Sequence, residues 1–455
     1  MSGGPAPATT LQSARPSRVW TARRWWAEPR WLLAAGVLVG WLVAGGSSVL
    51  RLATSSAEDQ GPIAHRRAHS DFDGFWRSGR DVLAGRDIYV LPGAEDAPWS
   101  TSPVKRYLPV FAVVMVPFAL APLTVAGLLL HVVAGLSLWG SARCASRLAG
   151  RDPDGDAWPI FLGVAGTAAY WTGHLALGQV GLPVLWLTLA GVEQTARDRP
   201  LRGGALLGLA AALKLTPALL AVWLLLRGRW TAALAAGATF LGLCAATALV
   251  FGPARALDLH ARWLREHGST ARAAYTDEGK SLRFTNASLA STLGRLLLDE
   301  NAGYNSEPFQ VNVVAVAPAT ATRLLQGGQA LALVGLAALA LRRRRLGDPL
   351  LTLGGVVPCA EVGLVLGLVA VFTPVAWTHH FVVLLPGAVA LAAGDRASRA
   401  WLAASLLLQL SLVAPVTRAL GGLLLSDLAV VAGCARVVWW ARATRQEAAP
   451  GLAPA

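Results

Sequence analysis

The chain has 455 residues, of which 54% are hydrophobic and only 15% are charged, whereas soluble domains carry about 25% charged residues. Repeated apolar runs of roughly 15 to 25 residues therefore predict an all-α polytopic membrane protein and exclude a water-soluble enzyme. The net charge of +14 does not indicate a nucleic-acid partner, because the arginines cluster beside apolar segments, where they set topology and contact anionic lipids.

The N-terminal part is predicted to be a cytoplasmic tail followed by a first membrane span. Residues 1–30 are rich in proline, serine and arginine, and this composition predicts a disordered basic tail that stays inside. The apolar run at about 31–51 is long enough to cross a bilayer and has no clear signal-peptidase site. It is therefore interpreted as a transmembrane helix.

Charges at the ends of the later apolar runs predict about twelve membrane segments with both termini in the cytoplasm. Two polar loops, 52–122 and 253–312, are predicted to lie outside, and each contains a short amphipathic helix. The membrane domain would occupy residues 31–441, and residues 442–455 would form a second disordered cytoplasmic tail. The run from Arg342 to Arg345 marks the inner side.

Residues 203–230 fit two interpretations, either one helix kinked at Pro217 or a hairpin of two short helices turning at Lys214. A short helix of about eleven residues reaches only ~16 Å against a hydrocarbon core of ~30 Å, so the hairpin needs its turn in a polar recess. The hairpin nevertheless keeps the 342–345 arginine run inside, whereas a single helix would put it outside. We therefore favour the hairpin.

With this topology, polar residues from distant parts of the chain reach one outer face over an apolar bundle. Lys214 is the only lysine inside an apolar run, and such an ammonium needs an anion or water unless it snorkels to the interface. His379 and His380 begin a span after Trp377, where they would act as interfacial residues or as part of a site. The remaining candidates are Asp71 and Asp73 in the first loop, Gln179 between two spans, and Asn286 in the second loop.

Several of these residues also have ordinary structural interpretations. Asp71 and Asp73 precede an amphipathic stretch, where a carboxylate can cap a helix instead of acting in catalysis. Gln179 would turn two helices, and Asn286 would be an N-cap. The sequence D-F-D resembles a metal-binding D-x-D motif, but no metal site is predicted. The four cysteines stand apart and indicate neither a disulfide framework nor a zinc site.

Seven short motifs follow one another along the chain, and their order is more specific than any one of them. They are Asp71-Phe72, Gly85 to Tyr89, Tyr107 to Pro109, Gly178-Gln179, Lys214 to Pro217, Asn286 to Leu289 and Pro374 to His380. In this order and spacing, over about residues 31–440, the chain resembles glycosyltransferase family 87 of the GT-C superfamily of membrane sugar transferases.

The resemblance implies a GT-C fold in the plasma membrane, a polyprenyl-phosphate sugar donor, typically mannose, and transfer to a glycolipid or glycan hydroxyl outside the cytoplasm. It implies no nucleotide, metal or other cofactor. It matches Asp71 to the family's catalytic base, and its motifs add Tyr107 and Trp377 to the candidate site residues. The phosphate leaving group would then be stabilised by cations, for which the candidates are Lys214, His379, His380 and Arg283.

Two other classes of function compete with the transferase: a transporter or flippase of lipid-linked sugars, and a structural membrane subunit. A transporter would show internal repeats and ionisable residues near the bilayer midplane. The sequence shows no convincing repeat, and its polar candidates gather at one face. A structural subunit gives no reason for that clustering, so a transferase is the favoured hypothesis.

Overall fold

The computed structural model describes residues 29–54, 71–90, 104, 106–272, 282–303, 308–345 and 355–440. Apart from residues 29 and 30, the two predicted tails lie outside the described residues. Every regular element in the described part is a helix, and no strand occurs there. This confirms the all-α fold class.

The first described helix is continuous, because a π-helical turn at Trp41–Gly45 joins its two parts. Two amphipathic helices, α3 and α14, lie in the predicted outer loops. The helices up to the second loop are α1 Pro29–Gly40, α2 Gly46–Thr54, α3 Asp71–Leu83, α4 Pro109–Val114, α5 Val116–Ala119, α6 Leu123–Leu148, α7 Trp158–Gly166, α8 Ala168–Leu177, α9 Gly181–Ala196, α10 Pro200–Leu213, α11 Ala218–Leu226, α12 Trp230–Ala246, α13 Ala248–Phe251 and α14 Pro253–Arg272.

The C-terminal half contains one long helix and several shorter ones. A 3₁₀ helix at Thr378–Leu384 leads directly into α18, and another at Gln409–Val413 follows α19. The helices are α15 Leu289–Leu297, α16 Pro318–Arg345, α17 Val357–Phe372, α18 Leu385–Ala393, α19 Arg396–Leu408, α20 Pro415–Ala419 and α21 Gly422–Trp440.

Four helical segments in the described part are long and apolar enough to cross a membrane alone: Leu123–Leu148, Trp230–Phe251, Pro318–Arg345 and Gly422–Trp440. The pair α7 and α8 adds a fifth if it is counted as one span bent by 61°. Other apolar helices are shorter, and α10, for example, is only about 21 Å long against a core of ~30 Å. The protein is thus a multi-pass membrane protein, and the count of about twelve segments stays a prediction.

The segment 203–230 is a hairpin. The backbone of α10 packs against α12 at two successive turns, where Gly204 meets Ala232 and Gly208 meets Ala236, so these helices run in the same direction. Helix α11 leads into the start of α12 through the turn 227–229. The start of α10 and the end of α11 therefore lie at the same end of the bundle, which is impossible for a single helix.

The bundle has an arginine-rich end, which a chain of ion pairs and hydrogen bonds holds together. Arg147 and Arg197 both pair with Glu193, at 2.6 and 2.7 Å. Arg343 lies 2.7 Å from Glu361 at the start of α17. Other contacts at this end are those of Arg151 with the Ala393 carbonyl, Arg229 with Asp198, and Arg436 with Asp395.

At the opposite end, the central hairpin of α17 and α18 turns through residues 373–377. Helix α17 is buried along most of its length, and its glycine at 363 lets it pack closely on α18, since a Cβ there would lie 2.5 Å from the Gly387 Cα. This packing holds the 3₁₀ helix with His379 and His380 at the end of the bundle away from the arginines.

Candidate active site

The Asp71 carboxylate ends a chain of two hydrogen bonds that runs from Tyr107 through Gln179. The Gln179 side-chain amide donates from Nε2 to Asp71 Oδ2 at 2.5 Å. The other end of the same amide, Oε1, accepts a hydrogen bond from the Tyr107 hydroxyl at 3.4 Å. One glutamine therefore orients the carboxylate and is itself oriented by a phenol, so three of the sequence candidates are brought together.

The turn before Gln179 explains why the start of α3 can approach it. Gly178 ends α8 in the left-handed conformation, with φ of +64°, which glycine adopts without a steric penalty. A Cβ on Gly178 would lie 2.7 Å from the Phe72 Cβ. The D-F and G-Q motifs, distant in sequence, are thus in direct contact, and glycine is required for that contact.

Aromatic packing fixes Tyr107. Its ring stacks on Phe111 at a centroid distance of 4.1 Å and meets Phe75 edge-on at 5.1 Å. The Tyr89 hydroxyl donates to the Tyr107 backbone carbonyl at 2.8 Å. Phe72 and Phe75 are both buried from the same helix. The amphipathic helix α3 is therefore anchored by its aromatic face, with Asp71 at its first described position.

Two cations act on Asp71. Loss of surrounding water raises the pKa of the Asp71 carboxyl, while the hydrogen bond from Gln179 and the positive charges of Arg106 and Lys214 act in the opposite direction. The residue as a whole is nevertheless exposed. It is accessible to a substrate.

Lys214 occupies the turn of the α10–α11 hairpin, where its backbone is extended. Its side chain is half-buried and makes no hydrogen bond or ion pair with any residue that the structure describes. A partly buried ammonium in that position favours an anionic ligand.

The two histidines differ in their surroundings. Their rings meet edge-on at 4.4 Å, and Nδ1 of His380 lies 3.1 Å from the Val375 carbonyl oxygen. His379 is buried, and its Nε2 has no hydrogen-bond partner among the described residues. The charges of Lys214 and Arg106 act on both rings. Trp377, half-buried, directly precedes the 3₁₀ helix that carries them.

The prediction that Asn286 is an N-cap is wrong. Ser288 caps α15, accepting a hydrogen bond from the Ser291 backbone amide. Asn286 is fully buried and binds the turn before the histidines instead: its Oδ1 accepts from the Ala376 amide at 2.8 Å, and its Nδ2 donates to the Pro374 carbonyl at 3.2 Å. The asparagine thus ties the second loop to the histidine segment, because its side chain can donate and accept at once.

Two arginines that the sequence did not single out belong to this region. Arg106 directly precedes Tyr107, and that position beside a recognised motif was the only sequence signal for it. Arg295 is fully buried and donates to the carbonyls of Asn286 and Ala419, both at 2.8 Å. It therefore holds the second loop in place.

The remaining candidates lie less centrally. Asp73 is buried and pairs with Arg77 of its own helix at 2.9 Å. Arg283 lies in the second loop, where its backbone carbonyl accepts a hydrogen bond from Arg295, and the cationic charges that act on Asp71 are those of Arg106 and Lys214. Among the described residues, no group of three histidine, cysteine, aspartate or glutamate side chains could hold a metal ion.

Comparison with known proteins gives one family and three relatives. The sequence profile of glycosyltransferase family 87 matches residues 106–362, more than half of the chain. A polyprenol-phosphate-mannose-dependent alpha-(1-2)-phosphatidylinositol mannoside mannosyltransferase from Mycobacterium tuberculosis is 30% identical over 322 residues, or 68% of this chain and 66% of the relative. A protein of the same description from Mycolicibacterium smegmatis is 30% identical over 68% of this chain and 65% of its own length.

A third relative, from Mycolicibacterium smegmatis, is described as a polyprenol-phosphate-mannose-dependent alpha-(1-2)-phosphatidylinositol pentamannoside mannosyltransferase. It is 28% identical over 68% of this chain and 66% of its own length. The matched region thus spans just under two thirds of each relative. No solved structure matches the chain significantly.

Proposed function

Because the chain belongs to glycosyltransferase family 87, we propose that it is a membrane mannosyltransferase that uses a polyprenyl-phosphate mannose donor. The relatives are named for this donor and for phosphatidylinositol mannosides, and the proposed acceptor is accordingly a hydroxyl of a glycolipid or glycan. The observation that carries the proposal is the Asp71 carboxylate, held by Gln179 and within electrostatic range of Lys214.

Asp71 is the proposed general base. Gln179 donates a hydrogen bond to Oδ2, whereas Oδ1 has no hydrogen-bond partner among the described residues. Oδ1 can therefore accept the proton of the acceptor hydroxyl. The acceptor oxygen then bonds to the anomeric carbon while the bond from that carbon to the phosphate oxygen breaks. The phosphate takes the electron pair, and a single displacement inverts the anomeric centre. The raised pKa of Asp71 makes its carboxylate a stronger base than an ordinary aspartate.

The leaving phosphate needs positive charge. We propose that Lys214 and Arg106 supply it, since both act electrostatically on Asp71 and on the histidine pair. His379 would donate to a phosphate oxygen from Nε2, which has no hydrogen-bond partner in the described part of the chain. Charged or polar donors that are already in place stabilise developing charge without the cost of reorganisation. Arg283 stays a weaker candidate for the same role.

The reaction is proposed to need no cofactor or metal, as the family resemblance implies, because the lipid phosphate is itself the leaving group. Asp73, whose spacing from Asp71 raised the question of a metal, has a salt bridge to Arg77. That contact supports a structural role at the start of α3.

The site is proposed to face the outer side of the plasma membrane, in a bundle of about twelve membrane segments. Support comes from the arginine-rich end, which lies opposite the site and carries Arg147, Arg343 and Arg436 in its ion pairs. Positive residues flanking membrane segments are retained in the cytoplasm, so the opposite end would be extracytoplasmic.

A direct test uses the purified full-length protein with radiolabelled polyprenyl-phosphate mannose and a panel of glycolipid acceptors. Label appearing in the acceptor, with the inverted anomeric configuration, supports the proposal. The alternative, a transporter or flippase, predicts movement of the labelled lipid across proteoliposomes without transfer. That result would overturn the transferase.

A further inference from the structure

A cavity lies at the arginine-rich end of the long helix α16, far from the proposed site. Its volume is about 500 Å³, and its lining residues are Ala338, Leu341, Arg342 and Arg345. Residues spaced by three and four positions share one face of a helix. The cavity therefore has an apolar part next to Ala338 and Leu341 and a cationic rim of two guanidinium groups.

The rotation of α16 is fixed by the neighbouring arginine. Arg343 is buried and lies 2.7 Å from Glu361, and it also donates to the Val438 carbonyl at 3.1 Å. With Arg343 directed inward, Arg342 and Arg345 remain exposed on the other side of the helix. The Arg345 side chain makes no hydrogen bond or ion pair with a described residue. Within the described part of the chain, its charge is therefore available to a ligand.

Tryptophans mark the depth of this rim in the bilayer. The Arg342 guanidinium lies 4.5 Å from the Trp439 ring, and that of Arg344 lies 5.7 Å from the Trp230 ring. Both tryptophans are more than half exposed. Exposed tryptophan beside arginine is typical of the headgroup level of a membrane, so the cavity opens where lipid phosphates lie.

An apolar stripe continues from the cavity along the same face of α16. Leu331, Val334 and Leu341 are exposed, and with Ala338 they follow the spacing of one helix face up to Arg345. From Leu331 to Leu341 the stripe covers about 15 Å of helix, similar to the ~15 Å of one leaflet's hydrocarbon. An acyl chain can therefore lie against it while its headgroup reaches the arginines.

We propose that this cavity binds one anionic membrane phospholipid, with its phosphate between Arg342 and Arg345 and an acyl chain along the stripe. Arginine suits this role because its planar fork of donors matches phosphate oxygens. A phosphatidylcholine headgroup carries a compensating positive charge that two guanidinium groups would repel. The polyprenyl-phosphate donor is not the proposed occupant, because Asp71 and Lys214 lie at the opposite end of the bundle.

The test is titration of the purified full-length protein in neutral detergent with phosphatidylglycerol or phosphatidylcholine, with bound lipid counted by native mass spectrometry. We expect one phosphatidylglycerol to bind more tightly than phosphatidylcholine. The double variant R342Q/R345Q should weaken phosphatidylglycerol binding by about thirtyfold. Each basic residue near an anionic lipid surface contributes a factor of about five, and the variant removes two of them. The matched control R396Q/R399Q removes two exposed arginines from the same end of the bundle and should bind as the wild type does.

Leu341→Trp is a second variant that keeps every charge and fills the apolar part of the cavity, so it should also weaken binding. Several outcomes would overturn the proposal: equal affinity for the two lipids, unchanged phosphatidylglycerol binding in R342Q/R345Q, or an equal loss in the control. Tight binding of polyprenyl phosphate without binding of phosphatidylglycerol would overturn it as well, in favour of the donor lipid.

Discussion

Gln179 donates a hydrogen bond to the Asp71 carboxylate across 108 positions of sequence. The contact joins the first described residue of an amphipathic helix to the turn between two apolar helices. It also leaves the second carboxylate oxygen available in the described part of the chain. The acidity of Asp71 therefore depends on Gln179 and on the cations Arg106 and Lys214.

Asp71→Asn should lower the rate of mannose transfer by a factor of about 10² to 10⁴, which is the usual contribution of a general base. The amide keeps the shape of the side chain and loses the basic oxygen. Radiolabel transfer under saturating donor measures the effect. Asp73→Asn, two residues away in the same helix, is the matched control and should stay within a few-fold of wild type. Near-normal turnover in Asp71→Asn would remove this residue as the base.

Gln179→Met should shift the pH dependence of transfer. The active form of Asp71 is the carboxylate, so activity falls as pH drops through its pKa, and burial raises that pKa above the ordinary aspartate value. The hydrogen bond from Gln179 lowers the pKa of Asp71. Its removal should therefore move the acidic limb of the pH–rate profile, where activity falls at low pH, to higher pH. Tyr107→Phe, which frees only the far end of the amide, should move it less. An unchanged acidic limb in Gln179→Met would contradict the positioning role.

Lys214→Met and Arg106→Gln should each raise the donor KM by about tenfold or more, because each removes a charge that would bind the lipid phosphate. Each charge also lowers the pKa of Asp71, so both variants should shift the acidic limb to higher pH. Steady-state kinetics with polyprenyl-phosphate mannose measure both effects. Arg396→Gln, an exposed arginine at the opposite end, should change neither. Wild-type donor KM in both site variants would dismiss the phosphate role.

His379→Ala should impair donor use more than His380→Ala does. Nε2 of His379 has no partner in the described part, whereas Nδ1 of His380 is within hydrogen-bonding distance of the Val375 carbonyl. The first histidine is therefore available to a ligand, and the second supports the turn. Donor KM and melting temperature, measured together, separate the two roles. Larger loss of donor use in His380→Ala would reverse the assignment.

Asn286→Ala should lower stability by roughly 1–3 kcal/mol, because it leaves the buried Ala376 amide without its partner and removes one of the two hydrogen bonds to the Pro374 carbonyl. Thermal unfolding in detergent, followed by near-UV circular dichroism, measures the change. Ser288→Ala loses a smaller set of contacts, namely the cap of α15 and a bond to the Pro374 carbonyl, and should cost less. An unchanged melting temperature in Asn286→Ala would show that the second loop does not depend on this asparagine.

The sequence by itself determined the fold class and the family, because both depend on properties that short windows carry. Apolar runs indicate membrane helices whatever their neighbours are, and the order of the short motifs, from Asp71-Phe72 to His380, identified the resemblance that the family comparison supports. The arginine run at 342–345 also favoured the hairpin at Lys214, since positive charge has a preferred side of the membrane.

Only the tertiary structure decided which polar groups meet. Asn286 satisfies the rule for an N-cap, yet it bonds to residues 374 and 376, about 90 positions away. Arg106 and Arg295 look like ordinary loop or surface arginines in sequence, whereas one acts on Asp71 and the other is fully buried. Hydrogen bonds and charge pairs depend on which helices pack together. Local patterns of hydrophobicity limit that packing without specifying it.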